Sequence, residues 1–135
     1  LQLINILRDL PEDLRMGRCY IPIQSMDEIG MTAKDLLDKN NIGKFRSLYD
    51  SYIDRAEDYL DEAVDYVQML PRSQFRLRLS CLLPILIGQR TLQLLRERNV
   101  LDIENRIKVL RPEIRKIMKR AMWLSITGIS PKKMN

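Results

Sequence analysis

Asn5, Asp9 and Asp13 lie four residues apart, with Arg8 and Glu12 between them. On an α-helix each four-residue step drifts by only about 40°, so the first two side chains stack on one face. Asp13 follows Pro11, which lacks an N–H and crowds the carbonyl four residues back, and a kink or restart is predicted there. Two carboxylates and an amide are hard oxygen donors of the kind Mg²⁺ takes, usually alongside substrate phosphate oxygens. Arg8 beside them adds a positive charge suited to the same phosphates. By spacing alone the residues also read as a solvated helix end, with Asp9, Glu12 and Asp13 paired to Arg8 and Arg15.

The elements that must position this group are all helical. Leu3, Ile4, Leu7 and Leu10 form one apolar stripe over residues 1–10. Gly17 to Pro22 reads as a loop, and Thr32 with Asp35 three residues on reads as the cap of a short helix. From Ile42 to Leu70, Phe45, Tyr49, Tyr52, Ala56, Leu60, Ala63 and Val67 recur at helical spacing. Asp54, Asp58, Asp61, Glu62 and Asp65 take the opposite, solvent-facing side. A second long helix over about 73–97 is apolar nearly all round, with Pro84 and Gly88 predicted to bend it. After a loop from Asn99 to about Leu110, a last helix opens with Pro112 and ends at Gly128. Met118, Met122 and Trp123 are predicted to fill core positions. No period-two strand pattern occurs, and the fold class is all-α.

Composition narrows the function classes. The chain has 135 residues, 45% apolar and 30% charged, enough for one domain with a core. It contains no histidine, and Cys19 and Cys81 fit no metal-ligand spacing, which speaks against zinc. Two reduced thiols predict a cytoplasmic protein. The longest apolar run, Leu82 to Gly88, is far short of the roughly 20 residues of a spanning helix. Residues 1–70 carry 8 Lys/Arg and 14 Asp/Glu, whereas residues 71–135 carry 15 and 4. An acidic half beside a basic half suits a divalent cation with an anionic substrate. Lys116, Lys119, Arg120, Lys132 and Lys133 suit peripheral contact with anionic lipid, or a plain solvated face. No recognition-helix or aromatic-interleaved basic signature supports nucleic-acid binding.

The wider string is more specific than the spacing. Gln2-Leu3-Ile4-Asn5-Ile6-Leu7-Arg8-Asp9-Leu10-Pro11-Glu12-Asp13, followed by Arg18-Cys19-Tyr20-Ile21-Pro22, resembles the second aspartate-rich motif of the squalene/phytoene synthase family. That pattern reads approximately QLxNILRDxxED, then a basic stretch and R-x-Y-hydrophobic-P. The resemblance continues more weakly through Arg55-Ala56 and Leu83-Pro84-Ile85 to the Arg106–Arg111 stretch. Pro11 stands where many relatives have a small residue. The family's first motif, DxxxD on an earlier helix, has no counterpart here. The chain is therefore expected to be the C-terminal part of a single domain, a helical bundle of the isoprenoid synthase type that is incomplete and inactive by itself.

The resemblance implies a prenyltransferase that joins two isoprenyl diphosphates head to head into a squalene-, dehydrosqualene- or phytoene-type product. Magnesium between two aspartate-rich motifs would draw diphosphate from one substrate, and the double bond of the second would attack the allylic cation. By position, Asn5, Asp9 and Asp13 would bind Mg²⁺, and Gln2 and Arg8 would contact substrate or diphosphate. Tyr20 reads equally as part of the pocket rim or as a plain packing residue. Arg106, Lys108 and Arg111 read either as a solvated basic loop or as residues that reach a diphosphate, and the apolar helices from 42 to 97 would line part of the pocket. The choice between C15 and C20 substrates and the use of NADPH stay open, as does the oligomeric state. The other reading is a non-catalytic relative that keeps the fold as an interaction module.

Overall fold

The computed structural model describes residues 1–131. Five α-helices carry it: α1 (Gln2–Arg15), α2 (Ile23–Glu28), α3 (Ile42–Met69), α4 (Phe75–Glu97) and α5 (Arg111–Thr127). Short 3₁₀ turns lie at Ala33–Leu37, Lys39–Asn41 and Ile103–Asn105, and there is no strand among the described residues. The all-α expectation holds. No helix among these residues is long and apolar enough to cross a membrane. Lys132 and Lys133, singled out for lipid contact, lie outside the described residues.

The frame is the antiparallel pair α3 and α4. Phe45, Tyr49, Ile53, Ala56, Leu60, Val64 and Val67 form the buried stripe of α3. These meet Leu82, Ile85, Leu86, Leu92, Leu94 and Leu95 of α4 in one core. Each helix lends an arginine to the other's C-terminal carbonyls. Arg46 of α3 donates from Nη1 to the Leu95 carbonyl (3.1 Å) and from Nη2 to that of Arg98 (2.7 Å). Arg78 of α4, 1% exposed, donates from Nη1 to the carbonyls of Val67 (3.0 Å) and Leu70 (2.8 Å). Helix C-termini leave carbonyls unsatisfied and carry partial negative charge, so a cation there meets both needs.

α1 lies across this pair, burying Ile4, Leu7, Leu10 and Leu14. At the crossing, a Cβ built on Gly88 would stand 2.9 Å from Ile4 Cδ1. The absence of a side chain at Gly88 is what lets α1 sit this close. α1 does not restart at Pro11 but runs through it as one helix. Proline removes the N–H that would bond the Leu7 carbonyl, and the buried Tyr49 hydroxyl donates to that carbonyl instead, at 3.0 Å. A partner from α3 thus replaces the missing intrahelical bond. α4 is likewise unbroken through Pro84 and Gly88.

Glu113 fixes α5. Its Oε1 accepts from Arg90 Nε (3.0 Å) and Nη2 (2.7 Å) on α4, and its Oε2 accepts from the Leu110 N–H (3.2 Å) at the helix start. Gly128 ends the helix with φ +73°, the left-handed conformation that glycine adopts without steric cost. α5 corrects a second expectation. Met118, Met122 and Trp123 are 44%, 49% and 55% exposed, not core. The buried side of the helix is instead Ala121, Leu124 and Ser125, the small residues allowing close approach to its neighbours.

Candidate functional site

Because α1 continues through Pro11, Asn5, Asp9 and Asp13 share one helix. Their ribbon is opposite the buried Ile4-Leu7-Leu10-Leu14 stripe, as 100° per residue requires. Gln2 and Asn5 are exposed, while Asp9 and Asp13 are partly covered. The face is therefore open within this chain. α3 and α4 pack against the back of α1, so the apolar helices from 42 to 97 form the core behind the motif and not a wall in front of it. An apolar cleft of about 380 Å³ does open beside α1, lined by Leu1, Leu3, Ile4, Tyr59, Tyr66 and Cys81 among others. It meets α1 on its core side.

Asp9 is the centre of the charged group. Its Oδ1 and Oδ2 accept from Arg8 Nε and Nη2, both at 2.9 Å. Arg106, 97 residues further on, reaches back from the 99–110 loop. Its Nη2 stands 3.4 Å from Asp9 Oδ1 and its Nη1 2.7 Å from Glu12 Oε1. The hydrogen bonds from Arg8 hold the Asp9 carboxyl below the usual carboxylate range, with Arg106 adding to the effect and partial burial opposing it. Conversely, the Asp9 carboxylate holds the Arg8 guanidinium above its ordinary value. Asp9 is thus ionised at neutral pH, as a cation ligand must be.

Of the expected site residues, the structure gathers Arg8, Asp9 and Arg106, with Gln2, Asn5 and Asp13 on the same side of α1. It does not gather the rest. Tyr20 is 53% exposed in the loop after Gly17, and Arg111 is exposed at the first turn of α5. Neither is bonded to the Asp9 group. Glu12, read only as an interleaved acid, is joined to Asp9 through Arg106. The loop between α4 and α5 gave no periodic signal that would have placed that arginine against α1. The hydroxyl of Tyr49 was also missed, although Pro11 marks the Leu7 carbonyl as needing a donor.

The donor set fits Mg²⁺ in kind, being all oxygen and hard. It is incomplete in number. Among the described residues no three acidic, histidine or cysteine side chains converge on a point that would hold a metal, and both Asp9 oxygens are engaged by Arg8. Such a face can form one side of a cation site shared with a second group of ligands.

The chain is thus a helical bundle that displays an acidic, arginine-flanked helix face. Residues 1–113 match the squalene/phytoene synthase family, and the chain belongs to that family. It is similar to a 15-cis-phytoene synthase of Synechocystis, 39% identical over 71 residues, which is 53% of this chain and 21% of that protein. A chloroplastic phytoene synthase 2 of Zea mays is 42% identical over 62 residues, 46% of this chain and 15% of that one. A bifunctional lycopene cyclase/phytoene synthase of Pyrenophora tritici-repentis is 32% identical over 71 residues, 53% of this chain and 12% of the relative. The matched stretch thus spans about a fifth or less of these curated relatives. No solved structure matches the chain.

Proposed function

We propose that this chain supplies the second aspartate-rich helix of a prenyltransferase that condenses two isoprenyl diphosphates head to head, giving a product of the squalene, dehydrosqualene or phytoene type. The observation that carries the reading is the ionised Asp9 carboxylate, held between Arg8 and Arg106 on a face of α1 that α3 and α4 leave open. Family membership and the phytoene synthases among the relatives support it.

On this reading Asn5, Asp9 and Asp13 hold Mg²⁺ from one side. Bound there, the ion supplies Lewis-acid help to the departing diphosphate. Arg8, still ionised at any working pH, adds charge-assisted donors for diphosphate oxygens. Gln2, exposed one turn before Asn5, faces the same side as the motif and contacts substrate. Arg106 exchanges its carboxylate partners for diphosphate when substrate arrives, and Arg111 and Tyr20 lie further out on the approach. The opposite wall, including the matching carboxylates, comes from chain outside the described residues. This chain is then the C-terminal part of one domain.

The test is Asp9→Asn in the full-length protein, assayed with farnesyl and geranylgeranyl diphosphate and Mg²⁺. Turnover should vanish while the circular dichroism of the helices is unchanged. Turnover near the wild-type level would sink the assignment and leave an interaction module with the same fold.

A further inference from the structure

On the side of α4 away from α1, a cleft of about 690 Å³ opens between α3 and α5. Its volume falls in the range of small-molecule sites, and neither the core nor the proposed reaction uses it. Glu57 and Asp61, one turn apart, form the α3 wall, and Lys116 and Arg120, one turn apart, form the α5 wall. The floor between them is apolar, made of Leu60, Leu86 and Ile117, with the side chain of Gln89 from α4 set into it.

At one end of the cleft the charges are already matched, Glu57 to Arg96 at 3.2 Å and Glu113 to Arg90 at 2.7 Å. Further along they are not. Asp61, Lys116 and Arg120 form no ion pair among the described residues, and the Gln89 amide forms no hydrogen bond there. The width of the cleft keeps Asp61 out of ion-pair reach of the two cations opposite. A ligand with one sign of charge would be drawn to one wall and repelled by the other. An uncharged apolar molecule would cover the floor but strip water from three unmatched charges, which burial without pairing penalises. A molecule with an anion at one end, an ammonium at the other and a short apolar body between them matches both walls and the floor. Gln89, a donor and an acceptor, serves either end.

We infer that the cleft between α3 and α5 binds a zwitterion of short-peptide size. Lys116 and Arg120 hold its carboxylate, Asp61 holds its ammonium, and Leu60, Leu86 and Ile117 carry its apolar body. α4 lies between this cleft and α1, so the site is separate from the Asp9 face and either assignment stands if the other fails.

The experiment titrates the full-length protein, labelled with nitrogen-15 in its glutamine side chains, with the tripeptide glycyl-leucyl-glycine. Parallel titrations use the same peptide acetylated at its amine, amidated at its carboxylate, or both. The Gln89 amide signal is assigned by its loss in Gln89→Met. The free tripeptide should shift that signal in a saturable way, and capping either end should weaken binding about three- to fivefold, the worth of an exposed ion pair. Asp61→Asn should abolish the distinction between the free and the acetylated peptide while keeping that between the free and the amidated one. Lys116→Gln with Arg120→Gln should do the reverse. A variant that merely lost its structure would lose both distinctions together. All three positions are exposed, and unchanged helical dichroism confirms that the variants fold. Three outcomes overturn the inference: no shift of Gln89 with any form of the peptide, equal affinity for free and capped peptides, or distinctions insensitive to the wall substitutions. Tighter binding of a singly capped form would overturn it as well, assigning the cleft to a simple anion or a simple cation.

Discussion

Tyr49 and Pro11 should be energetically coupled although no hydrogen bond joins their side chains. Pro11 deprives the Leu7 carbonyl of its helical partner, and the fully buried Tyr49 hydroxyl donates to that carbonyl at 3.0 Å. Tyr49→Phe keeps the ring, which packs on Phe45 with centroids 5.4 Å apart, and removes the donor. The carbonyl is then buried without a partner, a loss of about 1–3 kcal/mol. Pro11→Ala restores the N–H. In that background the carbonyl keeps its helical bond, and Tyr49→Phe should cost only about 0.5–1.5 kcal/mol, the net worth of an ordinary hydrogen bond. The double-mutant cycle, measured by urea unfolding of the full-length protein with α1 helicity followed by hydrogen exchange, should give a coupling of about 1 kcal/mol. Equal costs of Tyr49→Phe in the two backgrounds would refute the substitution of one donor for the other.

The same tyrosine gives a pH signature. Burial raises the Tyr49 phenol well above its ordinary value, with Asp50 adding and Arg46 opposing. In an ultraviolet titration of the folded protein it should ionise well above the ordinary tyrosine range. The unfolded chain loses that proton near pH 10 while the folded one keeps it, so stability falls above about pH 10, and Tyr49→Phe should flatten the fall. On the acid side, Asp9 is held below its ordinary value by Arg8; its contribution is present above about pH 4 and lost as pH falls through the lowered value. Asp9→Asn should remove that part of the acid transition in a stability–pH profile. Arg78→Met keeps much of the buried volume but strips the Leu70 carbonyl of its arginine donor and leaves the Val67 carbonyl with the Leu70 N–H alone, and should cost about 1–3 kcal/mol in denaturant unfolding. Gly88→Ala should be close to neutral, the helix-propensity gain of about 1 kcal/mol being offset by the push on Ile4 Cδ1. With Ile4→Val, which removes that atom, the alanine should gain stability relative to glycine in the same denaturant assay.

Sequence by itself determined the three longest helices and nearly all their ends, but neither α2 (Ile23–Glu28) nor the course of α1 past Pro11. The apolar spacing of α3, the caps at Thr32 and Gly128, and the proline at the first turn of α5 are local, set by side chains within a few residues of each other. The motif from Gln2 to Asp13 was legible for the same reason, its residues being one turn apart on one helix. What the tertiary structure alone decided depends on groups distant along the chain. Pro11 breaks no helix because Tyr49, 38 positions away, supplies a donor. Asp9 acquires a second cation because the 99–110 loop returns to α1. Met118, Met122 and Trp123, apolar enough to predict a core, stand exposed because Ala121, Leu124 and Ser125 already fill the side facing α4. Periodicity shows that a helix has two faces; only packing decides which of them is covered.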